Sequence, residues 1–122
     1  MSYRSGDVVW ADLDPSSGHE QMKRRPLVVV SNDAFNRHST LTMTVPITSM
    51  GNYPLHVDIG VVSDEEGNSV RGFAEAEQLK SLDLESRNAV LVGRLPDDKF
   101  ERILEMVLGC LVGPDMSIIS GY

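Results

Sequence analysis

A chain of 122 residues with 41% hydrophobic and 24% charged residues is the size of one globular domain, and its composition gives no case for disorder. Its formal net charge of −7 excludes indiscriminate attraction to polyanions, so any nucleic-acid contact has to be local. The single cysteine, Cys110, excludes an intrachain disulfide, and the lack of an apolar leader or of a stretch of membrane-spanning length predicts a cytoplasmic protein without membrane contact.

Val8, Trp10 and Asp12 alternate with Val9, Ala11 and Leu13 between Gly6 and Pro15, which predicts the first strand. The run GHEQMKRRP, from Gly18 to Pro26, follows as a charged loop. Leu27 to Val30 is a continuous apolar, β-branched run and predicts a central strand covered on both faces. Ser31-Asn32-Asp33 suits the cap of one helical turn through Phe35 and Asn36. In LTMTVPIT, Leu41, Met43, Val45 and Ile47 form an apolar face and Thr42, Thr44, Pro46 and Thr48 a polar one, so Thr48 closes this strand on its polar side. After Gly51-Asn52, the alternation of Leu55, Val57 and Ile59 with His56 and Asp58 predicts one arm of a hairpin. Val70 to Phe73 form the other, across the acidic loop Ser63 to Asn68. Short strands are expected around Glu77 to Leu82 and Ala89 to Gly93.

From Pro96 the residues Phe100, Ile103, Leu104, Val107, Leu108, Leu111 and Val112 recur at steps of three and four, which predicts an amphipathic helix stopped by Gly113-Pro114. Cys110 lies within this pattern and is expected to be buried. The domain is therefore placed at residues 1–112, with a tail at 113–122 that is either an extra strand or without order. This order of elements predicts a mainly β, α+β architecture: a curled, mostly antiparallel sheet closed by a C-terminal helix.

The histidines at 19, 38 and 56 and Cys110 show no metal-ligand spacing, and no glycine-rich phosphate loop or nucleophile elbow is present. Neither a metal nor a cofactor is expected. Between Lys23 and His38 the cations Lys23, Arg24, Arg25 and Arg37 outnumber the single acid Asp33. Metal-free RNA scission needs a base for the 2′-hydroxyl proton, an acid for the leaving oxygen and donors for the phosphorane charge. The Gly18 to Pro26 loop offers each kind of group. Arg25 can donate two parallel hydrogen bonds to phosphate, and Thr48 can add a hydroxyl from a rigid strand end. His19 and Glu20 both qualify as proton carriers, and neighbours in an extended segment point in opposite directions, so one of the two is expected to face the substrate. Taken singly, each has a plainer reading: an exposed loop histidine, a surface ion pair of Glu20 with Lys23 or Arg24, and an ordinary strand threonine.

The blocks GDVVWADLDP (Gly6 to Pro15), GHEQMKRRP, VVVSNDAFNRHS (Val28 to Ser39), VPITS (Val45 to Ser49) and EQLKSLD (Glu77 to Asp83), in this order, resemble the MazF, PemK and Kid family of toxin endoribonucleases. The resemblance runs to about Val112. It implies a small SH3-like, PemK-type barrel, a homodimer, metal-independent cleavage of single-stranded RNA and neutralisation by a cognate antitoxin through a flexible acidic segment. By that resemblance Arg25, Thr48, Glu20 and His19 are the catalytic residues. Lys23, Arg24, Ser31, Asn36, Ser49, Glu77 and Gln78 are expected to bind RNA, Asn36 and Gln78 by the resemblance and Lys23 and Arg24 as cations of the charged loop. The chain departs from the family at Met22, Lys23 and Arg24, where many relatives have glycine, and at Glu75, where Kid-like members place a catalytic arginine. Two other occupations suit such a fold: a non-catalytic, gyrase-binding toxin of the CcdB type, and an SH3-like module that binds a peptide.

Overall fold

The computed structural model describes residues 2–13 and 23–112. Its elements are β1 (Asp7–Leu13), β2 (Lys23–Val29), α1 (Asp33–His38), β3 (Thr42–Thr48), β4 (His56–Ser63), β5 (Ser69–Glu75), β6 (Lys80–Leu82), β7 (Val90–Arg94) and α2 (Asp97–Val112), with a single 3-10 turn at Glu85–Arg87. The strands form one antiparallel sheet in the order β4-β5-β3-β2-β1-β7, and β6 pairs with the first half of β3. Its two edges curl toward each other: a Cβ on Gly93 of β7 would lie 2.8 Å from Val62 of β4, so only glycine allows that approach. The expected curled sheet with a terminal helix is the fold observed.

Both faces of the sheet are covered. Val8, Val28, Val45, Ile47, Val57, Ile59, Val70 and Val92 pack on one side with Ile103 and Val107 of α2, while Val9, Ala11, Leu27, Val29 and Leu84 form a smaller cluster on the other. The second cluster explains why the face of β3 expected to be polar is not solvated. Thr44 is fully buried, its hydroxyl donating to the Lys80 carbonyl at 3.0 Å, and Thr42 and Pro46 are buried beside it. Leu41, assigned to the apolar face, lies before the strand and is exposed.

Other departures have local causes. Lys23 to Pro26, read as loop, belong to β2, because their backbone continues the ladder against β1 from Val28↔Val8 to Lys23↔Leu13. Helix α1 extends beyond Asn36 to His38, with the Asn32 side chain accepting from the Phe35 amide at its N-terminus. The strand expected from Glu77 starts only at Lys80, since residues 76–79 turn, with the Gln78 amide donating to the Glu75 carbonyl. Cys110 is exposed rather than buried: the buried positions of α2 are Ile103 and Val107, and none follows Val107. The expected tail at 113–122 lies outside the described residues.

Candidate active site

The site arises where β3 changes partners. Thr42 to Thr44 pair with β6, whereas Ile47 and Thr48 pair with Ala74 and Phe73 of β5. Pro46 falls between the β6 and β5 ladders and pairs with Leu27 of β2 on its other side. Because residues 76–79 turn away there, a cleft of about 400 Å³ opens, lined by Leu13, Arg25, Pro46, Thr48, Glu75, Gln78 and Lys80.

Arg25 and Thr48 enter this cleft from adjacent strands. The β2–β3 ladder pairs Val29 with Thr44, Val28 with Val45 and Leu27 with Pro46, and the same register carried on by two residues sets Arg25 opposite Thr48. Arg25 is exposed, Thr48 is half-buried, and the Thr48 Oγ1 accepts from the Met50 amide at 3.2 Å, which leaves the hydroxyl proton free to donate. Gln78 lines the same cleft.

The remaining expected residues are placed elsewhere. His19 and Glu20 lie outside the described residues. Lys23 is exposed at the start of β2. Arg24 points to the opposite face from Arg25 and is held there: its Nη1 donates to Asp12 Oδ1 at 2.6 Å and its Nη2 to the Asn88 carbonyl at 3.1 Å. The Asn88 amide donates to the other oxygen of Asp12 at 2.9 Å. Those two partners, Asn88 first, hold the Asp12 carboxyl below its usual pKa.

Ser31 and Asn36 are buried and bound to each other. The Ser31 hydroxyl donates to Asn36 Oδ1, while Asn36 Nδ2 donates to the carbonyls of Tyr3 at 3.0 Å and of Ser31 at 3.1 Å. The Met43 amide donates to Ser31 Oγ at 2.9 Å, so this network joins α1, β3 and the N-terminal segment. Ser49 lines a separate cavity with Asp58, Arg71 and Phe73.

Glu77 is not on the cleft lining but behind it, in a cluster with His56 and Glu75. His56 Nε2 lies 3.3 Å from Glu77 Oε2 and 3.5 Å from Glu75 Oε2, and its Nδ1 lies 2.7 Å from the Met50 carbonyl. Burial by itself lowers the His56 pKa, but the hydrogen bond to Met50 and the two carboxylates outweigh it, so the net shift is upward. Lys80 in the cleft and His56 beside it are not among the residues that the sequence pointed to, and Glu75 stood out only as a departure from the arginine of Kid-like members. The His56↔Glu75 pairing across β4 and β5 exists only once their register is known.

Residues 4–109 match the family model for the PemK-like, MazF-like toxin of type II toxin-antitoxin systems. The chain is 35% identical over 106 residues to the endoribonuclease PemK of Escherichia coli, covering 87% of this chain and 77% of that one. It is 32% identical over 109 residues to the endoribonuclease toxin MazF of Escherichia coli, covering 88% and 92%. A crystal structure of MazE-MazF from Deinococcus radiodurans superposes with a TM-score of 0.76 at 31% identity, covering 94% of this chain and 99% of that one. Among the described residues no helix is long and apolar enough to cross a membrane.

Proposed function

We propose that this chain, which belongs to the PemK-like, MazF-like toxin family of type II toxin-antitoxin systems, is an endoribonuclease toxin that cuts single-stranded RNA in the cleft between β2, β3 and the β5–β6 turn. The observation that carries this reading is the convergence of Arg25 and Thr48 on one cleft from adjacent strands.

The chemistry follows from those groups. The Arg25 guanidinium donates to two non-bridging oxygens of the scissile phosphate and stays charged throughout. The Thr48 hydroxyl donates a further hydrogen bond, which strengthens as charge develops on the phosphorane. The 2′-oxygen then forms its bond to phosphorus while the bond to the 5′-oxygen breaks. The hydroxyl proton goes to a base, and the departing oxygen takes a proton from an acid, which leaves a cyclic phosphate. His19 and Glu20 are the proton carriers in this reading, and Gln78 at the cleft wall is a hydrogen-bonding group for a base edge. None of these steps uses a metal.

The rest of the reading rests on the family: a homodimer, action in the cytoplasm, inhibition of translation through messenger RNA, and neutralisation by an antitoxin whose flexible acidic segment competes with RNA for the cationic cleft. The test is incubation of the purified full chain with single-stranded RNA in excess chelator. Cleavage products ending in a cyclic phosphate, absent with Arg25→Ala, are expected. Intact RNA, or equal cleavage by Arg25→Ala, overturns the reading.

A further inference from the structure

We propose that His56, Glu75 and Glu77 form a binding site for a divalent cation of the zinc class, set directly behind the cleft wall. One ligand atom from each of the three lies within 4.8 Å of the others, at half-buried positions on β4, β5 and the turn after β5.

The orientation of the imidazole comes first. Its Nδ1 faces the Met50 carbonyl at 2.7 Å, and a carbonyl only accepts, so the proton of the neutral ring sits on Nδ1. Nε2 is thereby turned toward two carboxylate oxygens, and a cation there takes the place of the proton that the imidazolium would otherwise hold between them. A histidine fixed through one ring N–H on a backbone carbonyl, with the other nitrogen presented outward, is also how a metal-ligating imidazole is held.

Spacing agrees with the same occupant. Zinc bonds of ~2.1 Å to nitrogen and oxygen place the corners of a tetrahedron about 3.4 Å apart. His56 Nε2 lies 3.3 Å from Glu77 Oε2 and 3.5 Å from Glu75 Oε2. The second oxygen of Glu77, Oε1, is buried and has no hydrogen-bond partner among the described residues, a carboxylate oxygen that a bound cation would satisfy. One imidazole and two carboxylates suit zinc or its neighbours over magnesium, which prefers oxygen ligands and retained water. Three protein ligands leave a fourth position open. Because Glu75 also lines the cleft, an ion here would offset negative charge beside Arg25.

The site does not rest on the RNA-cleavage reading, and its test contains no RNA. The full chain carrying Cys110→Ser, stripped with chelator, is titrated with zinc chloride by calorimetry, alone and with His56→Gln or Glu77→Gln added. One ion per chain is expected, with at least tenfold weaker binding in each of the two variants. Absence of binding, or equal binding in both variants, overturns the proposal. Nitrogen-15 NMR of wild-type His56 supplies a readout that does not depend on a variant folding. Zinc is expected to shift Nε2 to a metal-bound position and leave the Nδ1–H in place, whereas an Nε2 that remains protonated at zinc saturation refutes the site.

Discussion

Arg25 and Thr48 line one cleft from adjacent strands, each two residues beyond the last pair of the β2–β3 ladder, Leu27↔Pro46. Antiparallel register thus brings a guanidinium and a hydroxyl together with no loop between them. Removal of a single preorganised donor to a developing oxyanion lowers turnover by roughly 10²–10³-fold. Arg25→Ala is expected to lose that much in single-turnover cleavage of a short RNA, and Arg25→Lys to recover little, because an ammonium lacks the planar two-pronged fork. Thr48→Val should fall in the same direction. The double variant should be only slightly worse than Arg25→Ala, since groups acting on one phosphate are not additive.

The position of Thr48 depends on Gly72. Gly72 has φ +142°, and a Cβ there would lie 2.4 Å from the Thr48 carbonyl oxygen and 3.1 Å from Ile47 Cγ2. Gly72→Ala must therefore push β3 and β5 apart at Thr48. It is expected to destabilise the fold by about 1–3 kcal/mol, as overpacking does, and to slow cleavage at temperatures where circular dichroism shows it folded. Gly60→Ala is the control. It also has positive φ, at +70°, but its Cβ meets nothing within 4 Å. It should lose stability through backbone strain while keeping its cleavage rate.

Periodicity and punctuation made the individual strands and α2 legible in the sequence. Pairing beyond the β4–β5 hairpin was not legible, nor was the register within it. That Arg24 faces away from the cleft follows from simple alternation, but that Asp12 and Asn88 hold it required the register of β1 with β2 and the left-handed turn at Asn88. Thr42 and Thr44 read as a polar face, and their pattern does not record the second cluster on that side of the sheet. The His56, Glu75 and Glu77 group escaped a search by spacing for a similar reason. His56 and Glu75 come from strands paired across a hairpin, 19 residues apart by register, and Glu77 from the turn that follows, not from one helical turn. The ordered blocks around Arg25 and Thr48 were legible as a family resemblance, and the structure adds that both residues line one cleft.

Asn36 offers a test of whether a buried amide serves the fold or the substrate. It donates to the carbonyls of Tyr3 and Ser31 and accepts from the Ser31 hydroxyl, so Asn36→Ala leaves buried polar groups without partners. The expected loss is about 1–3 kcal/mol, seen as a lower Tm. Cleavage by the folded protein at low temperature should be unchanged. A variant with wild-type Tm and weakened RNA binding would instead place Asn36 at the RNA surface.

Acid sensitivity should be set by carboxylates with opposite shifts. Asp12 is held below the usual carboxylate pKa by the Asn88 amide and the Arg24 guanidinium, Asp33 by the Ser5 amide and Asp64 by the Asn68 side chain. For such groups the stabilisation is complete above the unfolded value of about 3.9 and is lost as pH falls through the folded value. Asp7 has the reverse sign: burial raises its pKa against the opposing Arg4 amide and Arg94 charge, so its folded form favours the proton. Its contribution to stability therefore declines as pH rises from about 3.9 through its folded value. Thermal melts across this range should separate the two. Asp12→Asn is expected to be less stable than wild type at neutral pH, with the gap closing toward acid. Asp7→Asn keeps an oxygen to accept from the Arg4 amide at 2.9 Å while removing the buried charge, so its stability relative to wild type should improve as pH rises. Parallel acid limbs for wild type and both variants would show that neither carboxylate is coupled to folding.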